Sequence, residues 1–233
     1  MSGFARWWEV TRREFLTGVR RPGYWILLFL MGFLALGLSD GSVTIASGGG
    51  EAGSPHLTSV FGQSRVQAVL IISLGGLFLA IFSGLTVIRD IELRVGEVFH
   101  ATRLTIREYL WGKFWGGVAV FVLIWTLYLC VSMGFNHVLQ SGKDHIGFFS
   151  PANYLFPTLL FGVPQILLFA GVPFLIGTWS RRPVLVFLFP LVTLLLTFTV
   201  LTTWSPGWLS PELNRTLMLL DPSGFRWLIE TFL

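Results

Sequence analysis

Residues 66–88, VQAVLIISLGGLFLAIFSGLTVI, run on without a single charge. At the rise of an α-helix this stretch covers about 34 Å, enough for the ~30 Å hydrocarbon core of a bilayer. Four more runs share the character: 24–38, 114–135, 154–178 and 184–203. The first is short and is completed by flanking residues or by oblique entry into the membrane. The composition agrees, with 53% hydrophobic and only 12% charged residues and a mean hydropathy of +0.72. A soluble domain needs far more charge to cover its surface. The expectation is an all-α integral membrane protein, one domain over 1–233 with about five transmembrane helices.

The charge that the apolar runs exclude is concentrated between the second and third of them. Residues 89–113 read RDIELRVGEVFHATRLTIREYLWGK and contain Arg89, Asp90, Glu92, Arg94, Glu97, Arg103, Arg107, Glu108 and Lys113. One charge at the centre of a membrane helix costs roughly 2.5–3.5 kcal/mol on insertion scales. This segment must therefore be a polar element outside the lipid, hung between two spans.

Orientation follows from the basic residues near the span ends. Arg6, Arg12, Arg13, Arg20 and Arg21, the five of 89–113, and Arg181 and Arg182 fall on one side. Arg65, Lys143, Arg215 and Arg226 fall on the other. The heavily basic side is read as cytoplasmic, with the N-terminus there. Loops 39–65 and 136–153 and the tail 204–233 are then external, and the SRRP turn at 180–183 is a cytoplasmic hairpin. In residues 1–22, Phe4, Trp7, Trp8, Thr11, Phe15 and Val19 recur at helical spacing, with Arg6, Glu9, Arg12, Arg13 and Arg20 largely on other faces. A basic helix with two Trp beside a span reads as an interfacial helix lying on the membrane surface. The N-terminus lacks the apolar core and cleavage site of a signal peptide and reads as mature protein.

Catalytic chemistry finds little support. His56, His100, His137 and His145 are scattered, and the spacing of His137 and His145 beside Asp144 does not suit a helical ligand pair. No H-E-x-x-H, G-x-S-x-G or phosphate-binding Gly-rich motif is present. Cys130 stands alone, so a disulfide within the chain is excluded. The spans lack the ionisable residues that mark ion and proton routes, and their polar content is Gln67, Gln165 and scattered hydroxyls. Basic residues placed by topology argue against nucleic-acid binding. Pro157, Pro164, Pro173 and Pro190, with Gly75-Gly76 and Gly116-Gly117, read either as ordinary bends and close contacts or as hinge points. Energy for any transport must enter through a partner.

The ordered pairs Arg89-Asp90, Gly96-Glu97, Ala101-Thr102, Arg107-Glu108-Tyr109 and Gly112-Lys113-Phe114, behind a REFLTGVRRP-type N-terminal helix, resemble the permease subunits of type-2 ABC (ABC-2) transporters. The likeness in topology covers residues 4–203. Two features depart from that family: Arg103 stands where Pro is frequent, and five spans are read where six are usual. Leu220-Asp221-Pro222-Ser223-Gly224 is similar to a segment of a subgroup of longer permeases.

The resemblance implies a coupling helix in the cytoplasmic segment, docking on separate ATP-binding subunits through Arg89, Asp90, Glu92, Gly96, Glu97, Phe99, Thr102, Arg103 and Glu108. It implies an interfacial helix carrying Trp7, Trp8, Arg12, Arg13 and Phe15, and a second permease copy or homologue as partner beside membrane lipid. ATP and Mg would be bound by the ATPase subunits, with no cofactor or metal in this chain. A bacterial plasma (inner) membrane is the expected location. A membrane-anchored scaffold that recruits a cytoplasmic protein without transport is the alternative.

Overall fold

The computed structural model describes residues 3–43, 57–93, 104–140, 146–197 and 210–220. Among these residues all regular structure is helical and no strand occurs. Helix α1 (Gly3–Arg20) stops before an Arg-Pro pair, because the residue preceding proline is disfavoured in the α conformation. Pro22 then opens α2 (Pro22–Asp40), where a missing N–H costs nothing. Ser59 caps α3 (Val60–Leu70), its hydroxyl accepting from the Gly62 N–H at 3.0 Å. A π-helical turn, Ile71–Gly75, leads into α4 (Gly76–Glu92). Helix α5 (Ile106–Gly134) ends in a second π turn, Phe135–Leu139. Helix α6 (Ala152–Pro157) passes through a third, Thr158–Gly162, into α7 (Val163–Ser180). Helices α8 (Pro183–Leu196) and α9 (Pro211–Leu220) complete the described chain.

Among the described residues, four helical runs are long and apolar enough to cross a membrane: Pro22–Asp40, Val60–Asp90, Ile106–Leu139 and Ala152–Ser180. This is an all-helical, membrane-embedded chain. The segment expected as a fifth span, 184–203, contains the shorter apolar helix Pro183–Leu196, and residues 198–203 lie outside the described ones.

The helices outrun the expected boundaries at several ends. Residues 60–65, expected in an external loop, form the start of α3, so Arg65 is helical and half-buried. Arg89–Glu92 close α4 and Ile106–Lys113 open α5, so the 25-residue polar element is largely helix at both ends. The reason is physical: a helix of 34 residues spans about 51 Å, and its surplus over a ~30 Å core continues into water, where charge is no obstacle to helix. The start of α5 is a capping box. Thr105 Oγ1 accepts from the Glu108 N–H at 3.3 Å, and Glu108 Oε2 accepts from the Thr105 N–H at 3.0 Å.

The chain divides into two compact units. The first comprises Met1–Leu30, Gly75–Tyr128 and Ile166–Pro190. Its core holds Leu27, Phe121, Phe169 and Val186, all fully buried. Tyr24 stacks on Phe82 with ring centroids 4.1 Å apart. Helices α4 and α7 meet backbone to backbone: a Cβ on Gly177 would lie 2.6 Å from the Gly84 carbonyl oxygen. Only small residues permit such an approach, a device that suits lipid, where apolar burial supplies no drive between helices.

The second unit comprises Met31–Leu74, Leu129–Gln165 and Leu191–Leu233. Its interior is polar around Tyr154, which is 0% exposed. The Tyr154 hydroxyl accepts from Asn136 Nδ2 at 2.9 Å and lies 3.1 Å from His137 Nε2. The Tyr154 carbonyl accepts from Gln67 Nε2 at 3.0 Å, and Thr158 Oγ1 lies 2.7 Å from Gln67 Oε1. Asn136 and His137 belong to one π turn and Thr158 to another. A π turn advances side chains out of α register, which is how these polar groups come to face one tyrosine. Asn153 Nδ2 donates to the Thr58 carbonyl at 3.0 Å, and the Gly147 N–H donates to Thr58 Oγ1 at 2.8 Å, tying the two ends of the expected external loops together.

Candidate functional site

Several charged residues of the first unit, on α1, α4 and α5, are paired with one another. Helix α1 lies along α5 at Gly112 and Gly116, spaced as small-x-x-x-small. A Cβ on Gly112 would lie 2.7 Å from Val10 Cγ1, and one on Gly116 would lie 2.9 Å from the Thr11 carbonyl oxygen. That spacing permits close backbone contact. Thr11, buried at this seam, satisfies its hydroxyl on the Trp7 carbonyl at 3.0 Å.

Ion pairs flank the seam. Arg6 grips Glu108 with two nitrogens, Nη2 to Oε1 at 2.8 Å and Nε to Oε2 at 3.1 Å. This bidentate geometry is the strong form of the pair, and its hydrogen bonds raise the Arg6 pKa above the ordinary value. Two turns along, Lys113 Nζ sits 3.6 Å from Glu14 Oε2 and also pairs with Asp90. The Tyr109 hydroxyl donates to the same Asp90 carboxylate, and Lys113 lies over the Tyr109 ring at 5.4 Å. Arg21 closes the circuit, with Nη2 3.5 Å from Glu14 Oε1 and Nη1 3.3 Å from Thr86 Oγ1. Three elements are thereby joined: α1 with its junction to α2, the last turns of α4, and the first turns of α5. The side chains of Lys113, Glu14 and Asp90 are only 11%, 14% and 20% exposed.

Of the residues expected to dock a partner, Asp90 and Glu108 are therefore engaged within the chain. Arg89 and Glu92 are exposed at the end of α4, beside the exposed Leu93. Gly96, Glu97, Phe99, Thr102 and Arg103 lie outside the described residues.

On α1, Trp7 sits at the α5 seam, whereas Trp8 and Phe4 are exposed at 53% and 71%. Phe15 is half-buried. Arg12 and Arg13 are exposed and lie 3.9 and 2.9 Å from Glu9, whose pKa is lowered chiefly by the Arg13 hydrogen bond. The buried face of α1 thus runs through Trp7, Val10, Thr11, Glu14 and Gly18 rather than through all its aromatics. Arg6, Glu14, Arg21, Tyr109 and Lys113 are site residues that sequence reasoning did not assign. The Gly112–Gly116 spacing was the available signal for them, since it marks a seam against which their partners would fall.

Together the fold and this site define a polytopic helical membrane protein whose polar end is internally braced. No protein family, curated protein or solved structure matches the chain.

Proposed function

We propose that this chain is the transmembrane subunit of an ATP-driven transporter of the type-2 ABC class, with five spans and its N-terminus in the cytoplasm of a bacterial cell. Two ATP-binding subunits would dock on its cytoplasmic face and a second permease subunit would complete the substrate route. ATP and Mg would be bound, and hydrolysis performed, in those ATPase subunits. The apolar spans, with few fixed charges, suit a lipid-like or amphiphilic substrate.

The observation that carries this reading is the brace around Lys113. A coupling element must deliver a push to the spans without absorbing it. Here Lys113, at one end of the polar segment, pairs both with Asp90 at the other end and with Glu14 of α1. A force applied to residues 94–103 would be passed to α4, α5 and α1 together. Exposed Arg89, Glu92 and Leu93 at the edge of the brace offer mixed charge and an apolar contact to a partner groove, the complementarity such docking needs.

The test is co-purification of the tagged chain with its ATPase from the native membrane, followed by ATPase and export assays on Glu97→Lys and Phe99→Ala. Expected is loss of stimulated ATPase activity with the membrane domain intact. ATPase coupling that survives disruption of 96–104 would overturn the reading. A partner that binds with no ATP-dependent transport would mark an anchored scaffold instead.

A further inference from the structure

We propose that the groove between α1 and the first turns of α5 is a binding site for an anionic phospholipid, with Arg107 taking the phosphate. The groove has a volume of about 330 Å³ and is walled by Phe4, Trp7, Trp111 and Trp115, with Arg107 and Glu108 as its charged residues. The carboxylate is already committed, since both Glu108 oxygens are held by Arg6. Arg107 is exposed and in no ion pair among the described residues. With Glu108 neutralised by Arg6, the groove keeps one unpaired guanidinium among a lining of four aromatic side chains.

The position of the groove along the helix selects the occupant. Helix α5 begins a run of 34 residues, about 51 Å long, which leaves ~10 Å beyond the hydrocarbon at each end when centred. Trp111 and Trp115 lie about 7 and 13 Å from the start of α5, the depth at which Trp anchors collect between headgroups and chains. Trp111, Phe114 and Trp115 pack edge to face, with centroids 6.0 and 5.4 Å apart, a rigid wall suited to an acyl chain. Arg107 stands one turn nearer the aqueous end, level with a phosphate. A guanidinium matches phosphate oxygens in a two-pronged hydrogen bond. A quaternary ammonium headgroup would find aromatic faces here but no free carboxylate. An anionic lipid is favoured over a choline lipid on charge alone. This inference rests on the membrane embedding and is independent of any transport role.

Native mass spectrometry of the full chain tests it, after exchange into phosphatidylglycerol, phosphatidylcholine or their mixture. The expected result is preferential retention of phosphatidylglycerol, lowered about fivefold in Arg107→Gln, the scale of one basic residue near an anionic surface. Arg107→Lys should retain most of the preference, and Trp111→Ala should weaken binding of both lipids. Arg182→Gln, an exposed arginine away from the groove, should change nothing. Equal loss in Arg182→Gln and Arg107→Gln would reduce the effect to general surface charge and overturn the site. Equal retention of phosphatidylcholine would overturn its headgroup assignment. Displacement of phosphatidylglycerol by millimolar glycerol phosphate would show a site for soluble phosphate and overturn the lipid reading.

Discussion

Replacing Lys113 by Met should loosen α1 from α5 while leaving the rest of the protein folded. Methionine keeps the unbranched stem and its packing, so the change is confined to charge. Lys113 Nζ lies 3.6 Å from Glu14 Oε2. At an effective dielectric near 20 a pair at that separation is worth roughly 4–5 kcal/mol before desolvation is counted. Removal also leaves two poorly hydrated carboxylates, but neither is abandoned. Glu14 keeps Arg21 at 3.5 Å and Asp90 keeps the Tyr109 hydroxyl. The net cost should fall between that of an exposed pair, up to about 1 kcal/mol, and that of breaking a fully buried one, about 3–5 kcal/mol. A value of about 2–3 kcal/mol corresponds to a ~30–150-fold increase in the population of undocked α1.

Hydrogen exchange of residues 3–20 in lipid nanodiscs reads this population directly, with α7 as the internal reference. The triple variant Glu14→Gln, Asp90→Asn, Lys113→Met should recover part of the protection, because removing all the charges leaves no orphan. Exchange in α1 within threefold of the parent, or a triple variant worse than Lys113→Met alone, would refute the brace.

The remaining expectations concern single contacts. Gly116→Leu should raise α1 exchange without altering charge, since its Cβ would press on the Thr11 carbonyl at 2.9 Å and overpacking of this kind costs about 1–3 kcal/mol; Gly117→Leu, with nothing within 4 Å of its Cβ, should be benign in the same measurement. Tyr154→Phe should lower the thermal midpoint at a cost of about 1–3 kcal/mol, because Asn136, whose Oδ1 already lacks a partner, would lose its Nδ2 acceptor too. Adding Asn136→Leu to that variant should recover stability. Arg181→Gly should stabilise by up to about 1 kcal/mol in thermal melts, since Arg181 holds a left-handed φ of 54° that glycine adopts freely. A fall in the midpoint would show that the guanidinium secures the turn.

Hydropathy made the long spans legible because lipid punishes charge severely enough to dominate every other signal. It misplaced their ends for the same reason. The expected spans 66–88 and 114–135 were cut at the charges Arg65, Arg89 and Lys113, although α5 starts at Ile106 under a capping box formed by Thr105 and Glu108. The capping pattern, Thr-x-x-Glu, was present in the sequence but hidden inside what read as a solvated segment. Pairing was beyond reach altogether, since Arg6 and Glu108 stand 102 residues apart and nothing local links them. The polar interior of the second unit was invisible for a different reason. Gln67, Asn136, Tyr154 and Thr158 meet through two π turns, and an offset of one residue in helical register leaves no mark on hydropathy.

The brace also divides the polar segment by task. Asp90, Glu108 and Lys113 are turned inward and hold helices together, whereas Arg89, Glu92 and Leu93, on the same short stretch of chain, face outward. On a helix, neighbours in sequence point about 100° apart, so one strip of sequence can serve the protein on one face and a partner on the other. Charge density alone, the property that sets 89–113 apart in the sequence, does not separate the two roles. Burial does. On the proposed reading, the inward residues would set how stiffly α1, α4 and α5 move together, and the outward ones would set what can grip them. A docking partner needs both, since grip without stiffness would bend the segment and leave the spans where they were.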